Sequence, residues 1–366
     1  MEIREISFYK QFVCMGGKCE HTCCRGWMIP LTGEDVDRFR SQKGRLGLSL
    51  RAAVSNRDIV CFNKGSGECA FHDRNGLCRL QIIKGHEFIP EACRMFPRFY
   101  RNYVRFEEHY MDPACIKAAE LLLANAADLS LISHEGIPSS DPCTCNDDND
   151  LLDKMLLTRS SILKRLNGIN DADTLNMVFN DIYSYSSRLQ RSFLEGETDF
   201  LSSFPFESFH SGEKLRLFPF DTDVFRSIMD TSFYHKRLER TNPFLFRLCR
   251  LYFDRYKSIM SSSASWVETF RSFMNDNKEA VHYCTAYYTY YLYLYFLKSF
   301  EDYSFLKNAS LGMIHTNMIF MFSLLLSLKE PGSYPQSLPS VISMYDRRAC
   351  FNDEIMNEMY ACLDLL

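Results

Sequence analysis

The amino-acid sequence predicts a mainly α protein. A small, irregular, cysteine-rich metal-binding domain with some short β-structure comes first, and an all-α helical domain follows. Three observations carry that expectation. Nine of the 15 cysteines crowd into residues 1–115 of a 366-residue chain. The same region is punctuated by the turn-forming clusters Gly16-Gly17, Gly65-Ser66-Gly67 and Asn75-Gly76. Beyond residue 150, apolar residues recur at three- and four-residue spacing over long stretches, the mark of helices with one buried face.

In chain order, residues 1–130 form the cysteine-rich unit. A core assembled from short, turn-rich pieces is small, and a bound metal is one way to staple it. Within this unit Arg94, Arg98, Arg101 and Arg105 have the spacing of one helix face. Yet Tyr103-Val104-Arg105-Phe106 has β character, and Pro97 disfavours a helix running through it. A solvated basic strand or helix is the plainer reading of these arginines, and an anion-binding face the sharper one. Residues 116–127, rich in Ala and Leu, read as a helix. Residues 131–150 read as a linker, with Pro138, Ser139, Ser140, Asp141 and Pro142 ahead of the polar run from Asn146 to Asp150. Residues 151–366 form the helical domain. Helices are expected over 151–166, 175–194, 244–259, 280–300, 311–328 and 353–365, with Pro331, Pro335 and Pro339 marking an irregular connection.

Composition excludes some classes. At 46% hydrophobic and 24% charged residues, the chain is globular and not disordered as a whole. Lys+Arg 42 against Asp+Glu 46 gives a net charge of -4, without the basic excess of a nucleic-acid binder. The opening Met-Glu-Ile-Arg-Glu-Ile is charged and unlike a secretory signal, so a cytoplasmic, reducing setting is expected. There cysteines signify metal or redox chemistry more often than disulfides. The apolar run 311–328 is about as long as a membrane span, but His315, Thr316 and Asn317 interrupt it. It reads as a buried core helix, with peripheral membrane association left open.

The cysteines fall into groups: Cys14, Cys19, Cys23 and Cys24; Cys69 and Cys78; Cys93; Cys115. Close spacing supplies two or three thiolates from one loop, and distant ones tie other loops to the same centre. Adjacent side chains diverge, so one of Cys23 and Cys24 is expected to be structural. His21 and His72 lie among the thiols, where either would serve as a replacement ligand, although a solvated or capping role is the plainer reading. Cys61 reads as a buried thiol, as do Cys249, Cys284, Cys350 and Cys362, while Cys143 and Cys145 sit in the linker without partners. The spacings match neither paired zinc knuckles nor ferredoxin runs. Cys19 and Cys23 have the first interval of the radical-SAM signature, but Gly26 stands at its third position. The residues alone leave zinc and iron–sulfur both open.

The motif Phe12-x-Cys14-x4-Cys19-Glu20-x-Thr22-Cys23-Cys24-x-Gly26-Trp27 resembles the opening of the bacterial flagellin lysine-N-methylase family. That opening carries a zinc- or iron-chelating cysteine-cluster domain. Cys93-Arg94-Met95-Phe96-Pro97-Arg98 and the stretch from Cys115 to Leu123 resemble later elements of the family, as do Leu157 to Leu166 and the tyrosine-rich helix near 287–300. One departure is Cys115-Ile116-Lys117-Ala118, where the family has Cys-Pro-Glu-Ala. The resemblance implies methyl transfer from S-adenosylmethionine to surface lysines of flagellin, and a 4Fe-4S cluster held by the cysteine-rich region. It implies a ligand pool of Cys14, Cys19, Cys23, Cys24, Cys69, Cys78, Cys93 and Cys115. It does not identify catalytic or donor-binding residues.

Such a reaction makes demands of its own. A lysine amine is nucleophilic only when neutral, and its free pKa is about 10.4. Aromatic faces suit ammonium and sulfonium cations, which makes Tyr283, Tyr287, Tyr288, Tyr290, Tyr291, Tyr293 and Tyr295 candidates. Core packing is the plainer reading of that stripe. No Gly-x-Gly-x-x-Gly loop supports a Rossmann-type donor site. The rival reading is a non-enzymatic zinc- or iron-binding or redox-sensing module with a helical partner-binding domain. Oligomeric state is not legible in the sequence.

Overall fold

The structure is a computed structural model that describes residues 1–26, 29–56, 60–62, 68–139, 148–197, 201, 205–233, 238–256, 263–350 and 352–365. The fold is mainly α with a few short strands, as expected. Seven strands are described: β1 (Glu2–Ile6), β2 (Ile29–Pro30), β3 (Val54–Asn56), β4 (Val60–Phe62), β5 (Arg98–Asn102), β6 (Phe106–Met111) and β7 (Leu131–Glu135). They form a four-stranded sheet of order β5-β6-β1-β7 and a three-stranded sheet of order β2-β4-β3.

In the larger sheet β1 runs parallel to β6, with Glu2 opposite Phe106 and Glu5 opposite His109. On its other side β1 pairs antiparallel with β7, Ile6 opposite Leu131. The start of the expected linker, Leu131–Glu135, is therefore a strand. Its Leu-Ile-Ser-His-Glu sequence is short and mostly exposed, so edge pairing rather than burial defines it, and composition does not reveal that. Residues 140–147, with Cys143 and Cys145, lie outside the described residues.

The arginines between 94 and 106 form neither a single helix face nor an anion site. Arg98–Asn102 is a strand, and the guanidinium of Arg101 pairs with Glu301 at 3.3 Å. Arg105 pairs with Asp153 at 2.5 Å, Arg94 with Glu87 at 3.4 Å, and Arg98 lies over the Tyr9 and Phe12 rings. Three of the four guanidinium groups are thus paired with carboxylates, and the fourth lies over aromatic rings.

Packing divides the chain differently from composition. A large core joins Phe8, Phe106, Tyr110 and Leu122 to Met155, Ile182, Tyr290, Phe320 and Tyr345, so the larger sheet packs with the helices. A second, small core consists of Ile29, Phe39, Leu50, Ala53, Cys69, Phe71, Leu80 and Ile89. The apolar helix Phe305–Lys329 is long and apolar enough to cross a bilayer, yet 89% of its most apolar window is buried inside the protein. It is the core helix that the polar residues at its centre predict. Thr316 donates to Gly312 O, and Asn317 donates to Leu217 O and accepts from Phe220 N.

One buried ion pair ties sheet to helices. On β6, Glu108 is fully buried and accepts from Arg159 of helix Asn149–Leu166 at 2.9 and 2.5 Å, while Tyr110 also donates to it. Removing one partner leaves a charge stranded in hydrocarbon, which costs far more than the intact pair contributes. Arg159→Met is therefore expected to destabilise the protein by about 3–5 kcal/mol in urea unfolding. A loss below about 1 kcal/mol would mean that water reaches Glu108.

Candidate functional site

The eight cysteines of the ligand pool fall into two groups that meet at Cys23-Cys24. Cys24, Cys69, Cys78 and Cys93 all pack on the small core. Their positions follow from local structure. Cys69 N donates to Cys24 O at 2.8 Å, and Arg25 and Glu68 form the adjoining bridge. Cys78 bridges His72 and caps the helix Arg79–Lys84. Cys93 sits in the helix Glu91–Met95, whose first N–H donates to the buried Asp35 carboxylate at 3.2 Å. Asp35 also closes the capping box of helix Gly33–Arg40 with Thr32, so one acid fixes both helices. Gly17 completes the unit: a Cβ there would lie 2.6 Å from Asn75 O, so the two glycine-marked turns meet backbone to backbone.

The second group is Cys19, Cys23 and Cys115, gathered near Arg347, with Cys14 beside Cys19. Cys14 is exposed and accepts from Gly16 N at 3.4 Å. Cys115 caps helix Ile116–Ala124. Cys61 is in β4, and its side chain lies outside the described residues. Cys249, Cys284 and Cys362 are buried core thiols, as expected.

Within the first group the thiols oppose one another's ionisation. Burial pushes Cys93 well up, and Cys24, Cys69 and Cys78 add to the effect. Cys69 is pushed up to about 11 by burial first, then by Cys24 and Cys78. In the second group Cys115 also rises to about 11, through burial with a contribution from Cys19. Cys23 and Cys24 do not diverge as expected. They share a hydrogen bond that holds Cys24 below the usual thiol range and Cys23 above it.

His72 departs from the solvated role. Its side chain is 4% exposed, and Nδ1 lies 2.6 Å from Glu68 Oε1. Its buried Nε2 has no hydrogen-bond partner among the described residues. His21 is occupied otherwise, with Nε2 at 3.1 Å from Ser340 Oγ and its ring against Phe244. Among the described residues no three His, Cys, Asp or Glu side chains stand at the spacing that holds a metal ion. The donor chemistry nonetheless fits a soft cation. Four thiols from four separate segments share one core, their mutual opposition is what a cation relieves, and a buried imidazole nitrogen beside them lacks a partner. An open polar cleft of about 750 Å³ borders both groups, lined by Cys19, Thr22, Arg25, Glu68, Cys69 and His72 among others.

Arg347 joins the cysteine loop to the helical body. From helix Leu338–Ala349 it donates through Nε to Ala114 O and through a terminal nitrogen to Thr22 O, both at 2.9 Å, and through the other to His21 O. The preceding residue, Asp346, faces elsewhere. It is 2% exposed and accepts from Tyr287 Oη at 2.8 Å and from Cys350 Sγ at 3.5 Å. With Asp112, Tyr290, Tyr291, Tyr295 and others it lines a narrow crevice of about 10 Å³, room for one water-sized group. Burial, reinforced by Asp112, pushes the Asp346 carboxyl up to about 8, and burial pushes Asp112 up to about 6.

The tyrosine stripe thus divides. Tyr288 and Tyr290 are core: their hydroxyls donate to Ala309 O and Met111 O. Tyr293 donates to Leu129 O, and Tyr283 to Glu279. Tyr287, Tyr291 and Tyr295 turn towards the crevice. Cys350 is not a plain core thiol, since it is partly exposed and lines the same crevice. Sequence reasoning missed Asp346, Arg347 and Cys350. The only available signal was an Asp-Arg pair interrupting an apolar helical face.

No family model matches the chain, and no solved structure matches it. Curated proteins do. The Lysine-N-methylase of Salmonella typhimurium is 25% identical over 146 residues, 37% of this chain and 35% of that protein. The Lysine-N-methylase of Salmonella choleraesuis gives the same figures. The flagellar biosynthetic protein FliU of Salmonella muenchen is 24% identical over 140 residues, 35% of this chain and 81% of that protein. The chain is similar to the lysine-N-methylases. The match spans about a third of the length of those two methylases.

Two expectations follow from the geometry. Arg347→Met removes three bonds to backbone carbonyls and should lower stability by roughly 2–4 kcal/mol. It should also speed alkylation of Cys19 and Cys115 in the folded protein, read by peptide mass mapping. Unchanged rates at both would show that the loop is held by something else. For Asp346, the folded carboxyl titrates at about 8 and the free one at 3.8. Its contribution favours folding below pH 3.8 and is lost as pH rises to about 8. Stability should therefore fall more steeply between pH 5 and 8 in the parent than in Asp346→Asn, and parallel urea-midpoint curves would contradict this.

Proposed function

We propose that the chain is a lysine N-methyltransferase that acts on flagellin, with S-adenosylmethionine as methyl donor and a 4Fe-4S cluster held by cysteines of the amino-terminal third. The observation that carries the reading is the gathering of Cys24, Cys69, Cys78 and Cys93 on one small core, in a chain similar to proteins named Lysine-N-methylase. These four would hold the cluster, with His72 beside them. The similarity to FliU favours a flagellar substrate. Bound there, a cluster supplies positive charge that stabilises thiolates, and it locks together segments that share little hydrophobic core.

The protein's own residues have separate tasks. The polar cleft past Cys19, Arg25, Glu68 and Cys69 would take a donor that carries an amino and a carboxylate group in exchange for the 3.0 Å pair that Arg25 and Glu68 make with each other. Asp35 fixes the helix bearing Cys93, and Arg347 holds the Cys19–Cys23 loop against Ala114.

Protein purified without oxygen should be brown and contain iron and sulfide. Cys24→Ala, Cys69→Ala, Cys78→Ala and Cys93→Ala should each lose most of the iron, while Cys14→Ala should retain it. Methyl transfer from labelled donor to flagellin lysines should follow the iron. Stoichiometric zinc in a colourless protein without methyl transfer would reject the reading and favour the non-enzymatic module.

A further inference from the structure

The crevice between the tyrosine helix (Ala280–Tyr295), the helix Leu338–Ala349 and the turn after β6 has no task in the fold that accounts for its chemistry. Two carboxylates, Asp112 and Asp346, face it, and neither forms an ion pair among the described residues. This contrasts with Glu108, whose burial is answered by Arg159. Tyr291 also lines the crevice; it is 5% exposed, and its hydroxyl is not sealed in the core as those of Tyr252 and Tyr334 are. Its ring is held in place from behind, because a Cβ on Gly312 would lie 2.4 Å from it, and it packs on Tyr295 with centroids 4.7 Å apart. Asp112, Tyr295 and Cys350 keep partial exposure, so they form the mouth and Asp346 the floor.

Two acids, Asp346 with no cation facing it and Asp112 with only the more distant Arg347, aromatic walls and room for one water-sized group describe a receptor for an alkylammonium head. We propose that this crevice receives the ε-ammonium of the acceptor lysine, with the Asp346 carboxylate as the base that takes its proton. The assignment rests on the lysine-methyltransferase reading and adds the acceptor half of the site. An N–H bond of the ammonium breaks, its proton passes to Asp346, and its electron pair stays on nitrogen. That pair then forms the N–C bond to the methyl of a sulfonium donor. The C–S pair leaves with sulfur as a neutral thioether. Placement supports the assignment. Asp346 precedes Arg347, which touches the Cys19–Cys23 loop, and Asp112 is in the same turn as Cys115. Asp112, at the mouth, connects the crevice to Cys115, whose N–H donates to Asp112 O at 3.0 Å. The groups that face Asp346 are Tyr287, Tyr291 and Tyr295 from the tyrosine helix, Asp112 from the turn, and Tyr345 and Cys350 from its own helix. None is cationic. A carboxyl raised by burial is poised as a base near neutral pH.

The test uses the full chain, purified without oxygen, with n-butylammonium as a lysine-side-chain probe and n-butanol as its neutral isostere. Saturation-transfer NMR should detect butylammonium on the parent protein. The signal should fall at least about five-fold in Asp346→Asn and in Tyr291→Phe, the variant that preserves packing, and butanol should give none. In flagellin methylation Asp346→Asn should lose about 10²–10⁴-fold in rate. Its residual rate should climb about ten-fold per pH unit towards the free amine pKa of about 10.4, while the parent rate levels off. A merely structural role for Asp346 would leave the two pH profiles parallel. Methylation by a parent protein whose butylammonium signal is unaffected by both variants would overturn the crevice assignment and leave the methyltransferase reading intact. Absence of any lysine methylation by iron-loaded parent protein would overturn the reading, and lysine as the occupant with it.

Discussion

The arrangement depends on one guanidinium. Arg347 projects from a helix of the main core and reaches the backbone carbonyls of Ala114, Thr22 and His21. A guanidinium is suited to this because its donors lie in a rigid planar fork and it remains charged when water is excluded. Burial lowers its proton affinity, and the nearby thiols of Cys23, Cys115 and Cys19 raise it again. The same cation therefore holds the loop in place and offsets part of the burial that pushes the Cys19 and Cys115 thiols up, and part of the Cys24 hydrogen bond and burial that push Cys23 up. Apolar contact adds Phe12 against the large core and the His21 ring against Phe244. The loop bearing Cys14, Cys19 and Cys23 contributes no fully buried residue between Tyr9 and Arg25.

Two buried carboxylates show how similar burial serves different ends. Glu108 is fully buried and meets Arg159 through two bonds, so its carboxyl is matched by a cation as part of the frame. Asp346 is nearly as buried but, among the described residues, meets a phenol and a thiol and no cation. An acid so placed costs stability whenever it is ionised. A protein that needed only packing at that position would be better served by Asn or Leu. The cost makes sense at a site that exchanges protons.

The helical half was legible because long amphipathic and apolar runs leave a periodic trace. The core helix around His315 and the tyrosine helix were readable for that reason, even though the purpose of individual tyrosines was not. Which hydroxyl finds a carbonyl depends on neighbours distant in sequence, as with Tyr290 and Met111. The edge strand Leu131–Glu135 was illegible because its pairing with β1 is a backbone matter and its side chains face solvent. Among the cysteines, density and turn chemistry pointed to a shared centre. The split into two groups was hidden, since it depends on long-range contacts such as Cys69 N to Cys24 O. Asp346 and Cys350 were missed because Pro331, Pro335 and Pro339 read as an irregular connection, whereas Pro339 stands in the first turn of the helix Leu338–Ala349, where its missing N–H costs nothing.

The small core explains why the first cysteine group is placed where it is. Ile29, Phe39, Leu50, Phe71, Leu80 and Ile89 are its large members, and short helices and two- or three-residue strands surround them. Elements so short have little stability of their own, because helix nucleation is costly and short strands exchange few bonds. Thiols that replace hydrocarbon at the edge of such a core weaken it further unless something else binds them. Asp35 compensates in part by capping one helix and anchoring another. A cation shared by Cys24, Cys69, Cys78 and Cys93 would supply the remaining cross-links at the four points where separate segments meet. Folding of this unit and assembly of such a metal centre would in that sense be one process, whereas the crevice lies on the large core and would keep its shape without it.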